Sequence, residues 1–102
     1  MRITNDILVQ KIAGSLEPFR DAKPKDLMVR ASLEFVDDYR NTRNLFLELH
    51  RDYEPVAPPD VVIKDEGYQI LASIGEIAGY YEQLLNFLHN LIAAEQGPIT
   101  LD

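Results

Sequence analysis

Two histidines, His50 and His89, are the side chains of this 102-residue sequence that ordinarily titrate nearest neutral pH. They could move protons or bind a metal, and their neighbours decide which. A carboxylate-bridged metal site in a helical bundle draws on Glu-x-x-His pairs. Here Leu47 stands three residues before His50, and Asn86 three before His89. Glu82, Asn86 and His89 do fall one and two turns apart along one side of a helix. Glu82 and His89 are therefore the candidate metal or proton-transfer residues, although a solvated polar face has the same spacing. Nucleophilic chemistry has thinner support. The chain has no cysteine, which excludes a disulfide framework and a zinc site built on thiolates. None of Ser15, Ser32 and Ser73 sits in a Gly-x-Ser-x-Gly turn. Gly14, Gly67, Gly75, Gly79 and Gly97 form no phosphate-cradling loop. No cofactor is expected.

The remaining pair is Arg43 and His50, with six residues between them and Asn44 directly after the arginine. On one continuous helix, that spacing puts both side chains on one side, two turns and about 10.5 Å apart along the axis. The pattern resembles that of the small all-α ribonucleases of the HEPN class. The resemblance implies an RNase in which, in a dimer, two such pairs converge on a phosphate, Arg43 stabilising charge and His50 handling a proton. Glu48 and Asp52 lie close by and oppose attraction to RNA. A surface network of arginines and acids explains the pattern as well. A shorter likeness is Glu34-Phe35-Val36-Asp37, which is similar to the second acidic, magnesium-binding element of helical NTP pyrophosphohydrolases. The Glu-x-x-Glu that precedes it in those enzymes is missing here.

Any of these groups would have to be positioned by helices. The spacing predicts three, over about 5–17, 24–53 and 65–96, with a tail at 97–102, in one all-α domain spanning residues 1–102. Asn5 is the expected cap of the first, and Ile7, Leu8, Ile12 and Leu16 fall at helical spacing. Pro24 suits the first turn of the second, which Pro55, Pro58 and Pro59 bring to an end. In the third, heptads counted from Leu71 put Leu71, Ala78, Leu85 and Ile92 at a, and Ile74, Tyr81 and Leu88 at d. Ile70, Ile77, Leu84 and Leu91 fall at g, and Tyr80 and Phe87 at c. This stripe spans roughly 160°, far wider than a coiled-coil seam, so the helix should touch at least two neighbours. Gln96-Gly97-Pro98 is a strong stop. Gly75 and Gly79, on the opposite side, are candidates for close packing against another backbone, or else tolerated weak spots.

A 30-residue second helix would be about 45 Å long, and one short helix could not cover it and its partner together. The expected architecture is a long antiparallel helical hairpin plus a short N-terminal helix, completed into a bundle by dimerisation. The interface would be formed by Ile70, Leu71, Ile74, Ile77, Tyr80, Tyr81, Leu84, Leu85, Phe87, Leu88 and Leu91. The rival is a bent or broken second helix that folds back into a monomeric three- or four-helix bundle, and Asn41-Thr42-Arg43-Asn44 is a polar stretch where such a bend could occur.

The net charge of −7 is uneven: residues 1–51 carry nine Lys/Arg against eight Asp/Glu, and residues 52–102 one against nine. That balance disfavours nucleic acid and membrane surfaces and suits a protein partner with a basic surface. No apolar run is long enough to span a membrane, and the first ten residues lack the pattern of a signal peptide. The reading is a cytoplasmic, non-enzymatic protein–protein interaction module: an adaptor, small subunit or chaperone. The alternatives are the HEPN-like RNase and a metal-binding bundle.

Overall fold

Thr4, not Asn5, caps the first helix. In the computed structural model, which describes residues 3–61, 63–64, 69–70 and 72–95, the extended backbone of Thr4 precedes α1 (Asn5–Leu16). Its hydroxyl accepts the Ile7 N–H at 3.3 Å. A side chain at that position satisfies one of the helix's orphan donors. Asn5 is thereby released from capping and is buried for another purpose. Pro18 is accommodated in a 3-10 turn, Glu17–Phe19. Pro24 then opens a single-turn helix, α2 (Pro24–Leu27), where Asp26 accepts the Lys23 N–H at 3.2 Å.

The continuous helix expected over 24–53 is divided. After α2 the chain runs extended, and Arg30 forms an antiparallel bridge with Ser73. Ala31 N–H donates to the Ala72 carbonyl at 3.0 Å, and Ile74 N–H to the Val29 carbonyl at 2.8 Å. Backbone pairing with a distant segment thus replaces helical bonds at 29–31. Ser32 restarts the helix by accepting the Phe35 N–H at 3.2 Å, giving α3 (Leu33–Leu49). The bend that the rival reading allowed at 41–44 does not occur. Thr42 is fully buried inside α3 and donates its hydroxyl to the Asp38 carbonyl at 2.7 Å. A polar side chain satisfied by its own helix can be enclosed without breaking it.

His50 leaves helical geometry and leads into a 3-10 segment, Arg51–Val56. The proline-containing stretch 57–61 then runs back along α3, held by side chains of that helix. Tyr39 donates its hydroxyl to the Pro59 carbonyl at 2.7 Å, and Arg43 Nε to the Pro58 carbonyl at 2.7 Å. Arg40 pairs with Asp60 at 3.1 Å. Two short strands, β1 (Ile63–Lys64) and β2 (Gln69–Ile70), pair antiparallel with Ile63 opposite Ile70. The expected helix start near 65 therefore gives way to extended chain at 69–70. Ser73 caps the helix that follows, accepting the Glu76 N–H at 3.1 Å, and α4 runs Ile74–Glu95. The expected stop at Gln96-Gly97-Pro98 lies outside the described residues.

The molecule is mostly helical, as expected of an all-α chain. α4 packs against both α1 and α3, and α2 also reaches it. Leu8 and Ile12 of α1, Val36, Tyr39 and Phe46 of α3, and Ile77, Tyr81, Leu84 and Leu88 of α4 are fully enclosed. Each contributes on the order of 1.5–3 kcal/mol by leaving water. The wide stripe does mark two neighbours, but both belong to the same chain.

Candidate functional site

The densest gathering of polar side chains is one the sequence reading missed. Asp38, on α3, receives Lys11 Nζ on one oxygen at 2.9 Å. Its other oxygen accepts hydrogen bonds from the Ser15 hydroxyl at 2.6 Å and from the Tyr81 phenol. Lys11 and Ser15 lie four apart on α1, so both reach the same point, and three helices meet on one carboxylate. Burial alone would raise the Asp38 pKa. The hydrogen bonds from Ser15, Tyr81 and Lys11, together with the Lys11 charge, outweigh it and hold the group below the ordinary carboxylate value. Burial, followed by the hydrogen bond to Asp38 and its charge, pushes the Tyr81 phenol well above its ordinary value. A carboxylate so stabilised is a poor base for Ser15, and Tyr81 stays un-ionised. The cluster joins helices; it is not set up to transfer a proton. One signal was available: Tyr81 sits at an apolar heptad position, and a buried phenol needs an acceptor.

A second set ties the start of α1 and the end of α4 to the end of α3. Asn5 Oδ1 lies 2.6 Å from His50 Nε2, and Asn5 Nδ2 donates to Glu95 at 2.8 Å. Since the amide oxygen only accepts, Nε2 carries the proton. His50 also packs on Phe46 and Tyr53, with ring centroids 5.3 and 6.0 Å away.

Arg43 and His50 are therefore not a pair. His50 follows the last residue of α3 and turns to α1, whereas Arg43 holds the 57–61 stretch. The helix that would align them ends one residue too early. Glu82 and His89 are both exposed on α4. Among the described residues, no cluster of His, Cys, Asp and Glu could hold a metal ion. Gly75 and Gly79 also part company. A Cβ on Gly75 would stand 3.0 Å from the Leu27 carbonyl oxygen and 3.1 Å from Leu27 Cβ, so this glycine admits the end of α2. Around Gly79 there is open space.

The residues expected at an interface divide three ways. Ile77, Tyr81, Leu84 and Leu88 are fully buried within the single chain. α1 supplies the cover that a partner helix was expected to give. Ile74, Tyr80, Leu85, Phe87 and Leu91 are half-buried against that core. Tyr80 lies 5.7 Å from Tyr39, and Phe87 lies 5.2 Å from Tyr53 and 6.1 Å from Phe46, as ring centroids. The side chain of Ile70, and Leu71 altogether, fall outside the described residues.

No family model, curated protein or solved structure matches this chain. Its surface must speak for itself.

Every buried side-chain nitrogen and oxygen among the described residues has a hydrogen-bond partner. Among the described residues, the large exposed apolar side chains lie towards the two ends of α3. Met28 is 80% exposed and Val29 57%, with Leu33 exposed at the start of α3; Leu49 is exposed at the other end of α3, and Val56 at the end of the 3-10 segment that follows it. Isolated exposed apolar residues are ordinary. Five at the two ends of one helix are a pattern. Sequence periodicity puts Val29 and Leu33 partly off the main apolar stripe of the second helix, a hint of a second contact or of ordinary surface exposure, but it places Met28 on the stripe. Among the described residues, no helix is long and apolar enough to cross a membrane.

Proposed function

We propose that this protein is a non-enzymatic protein–protein interaction module whose binding surface is the apolar shoulder between α2 and α3. The observation that carries the reading is Met28, an unbranched apolar side chain held almost wholly in water beside Val29 and Leu33. Met is polarizable and adaptable, and suits a surface that is covered on binding. The backbone beneath it is anchored, since Val29 and Ala31 are tied to Ile74 and Ala72. A rigid apolar projection needs little ordering when a partner closes over it.

Arg43, His50, Ser15 and Asp38 are each engaged with another part of the chain, which favours this reading over an RNase built on Arg43 and His50. Affinity capture from the native host, using wild type and Met28→Asp/Val29→Asp side by side, tests the proposal. Specific partners retained by the wild type and lost by a folded double variant support it. Identical partner sets, or RNA cleavage abolished by His50→Ala, overturn it.

A further inference from the structure

The two ends of α3 differ in charge as well as sharing exposed apolar groups. At the leading end, Lys23, Lys25 and Arg30 lie close in sequence to Met28 and Val29, with Asp26 and, next to Leu33, Glu34 as the acids, and all of them are exposed. At the trailing end, Glu48, Asp52 and Glu54 surround Leu49 and Val56, with Arg51 as the nearby base, again all exposed. Asn44, Leu47, Glu48, Arg51 and Glu54 line a shallow, open hollow of about 490 Å³ near the trailing end. An exposed methionine with cations near it in sequence thus stands at one end of the helix, and a shallow hollow lined by two acids, one arginine and a leucine at the other.

From this complementarity we infer that the occupant of the trailing hollow is the Met28–Val29 shoulder of a second copy of this chain, docked head to tail. Lys25 and Arg30 of the shoulder face Glu48 and Glu54 of the hollow, so attraction between opposite charges steers the approach and sets the register. The contact joins two different surfaces, so it leaves one free shoulder and one free hollow on every pair and does not close at a dimer. The inference rests on the shoulder being a binding surface, and it names what the shoulder binds. It replaces the two-fold dimer expected through the α4 stripe, whose central residues are buried.

Sedimentation equilibrium of the full chain over a range of concentration and salt tests this with three samples. Wild type should show a mass that rises past the dimer with concentration and falls with added salt. Lys25→Glu/Arg30→Glu, which makes both ends acidic, and Glu48→Lys/Glu54→Lys, which makes both basic, should each associate at least about tenfold more weakly. Mixing the two in equal amounts should restore association, since each end then meets its opposite. All four positions are exposed, and circular dichroism checks that the variants are folded. The inference is overturned by a wild type that stays monomeric at low salt. It is equally overturned by a Glu48→Lys/Glu54→Lys chain that associates like wild type, or by a mixture no more associated than its components. If wild type is monomeric yet Met28→Asp/Val29→Asp still loses its captured partners, self-assembly fails while the shoulder stands as a binding surface. If neither changes, both fail.

Discussion

The middle of α3 and its two ends put similar residue types to opposite uses. In the middle, Asp38, Thr42 and Arg43 are polar groups drawn inward, each satisfied by another part of the chain. At the ends, Met28, Val29, Leu33, Leu49 and Val56 are apolar groups left outside. The contrast inverts what one expects of a helix in a small bundle. Asp38, Thr42 and Arg43 hold parts of the fold together, whereas the apolar side chains at the two ends are left in water.

The comparison can be broken first in the middle. Leu84→Ala, at a fully buried site between α1 and α3, should cost about 2–5 kcal/mol in urea unfolding. Asp38→Ala should cost less, roughly 1–3 kcal/mol, because it strands the Tyr81 phenol and the Lys11 ammonium. The glycines of α4 sharpen the scale. Gly75→Ala forces a methyl group against the Leu27 carbonyl and should destabilise, whereas Gly79→Ala enters open space and should stabilise by up to about 1 kcal/mol. At the ends, Met28→Asp should leave the unfolding midpoint within about 0.5 kcal/mol of wild type while removing association.

The Asp38 cluster also sets a dependence on pH. Its lowered pKa means that the carboxylate contributes stability above the ordinary value of about 3.9, and loses it as pH falls through the folded value. The raised Tyr81 pKa acts at the other limit: its contribution is complete below about 10 and is lost as pH rises further. Thermal unfolding of Asp38→Asn should show a flatter acid limb than wild type, and Tyr81→Phe a flatter alkaline limb.

Periodicity made much of this fold legible. The α4 stripe was readable because Ile77, Tyr81, Leu84 and Leu88 repeat at helical spacing, and its width correctly demanded two neighbours. The error lay in arithmetic built on an unbroken second helix. Residues 29–31 carry no proline or glycine, and what draws them out of the helix is pairing with 72–74, a contact more than forty positions away. Local propensity has no term for such a partner. The same break frees α3 from the length that seemed to require a second chain, and exposes Met28 and Val29.

The candidate site was less legible for a related reason. Arg43 and His50 drew notice because they suit catalysis and are suitably spaced, but spacing aligns side chains only while the helix lasts, and α3 ends at Leu49. Asp38 was overlooked because its partners, Lys11, Ser15 and Tyr81, come from two other helices. The acid-lined hollow likewise depends on how Arg51–Val56 turns back beside α3. Sequence alone places its residues but not its shape.

The central claim is that the ends of α3 bind and the middle of α3 folds the chain. Partner capture by Met28→Asp/Val29→Asp, in a preparation whose urea midpoint matches wild type, tests that division most directly. The account predicts an unchanged midpoint with binding lost. Binding retained at full strength would contradict it.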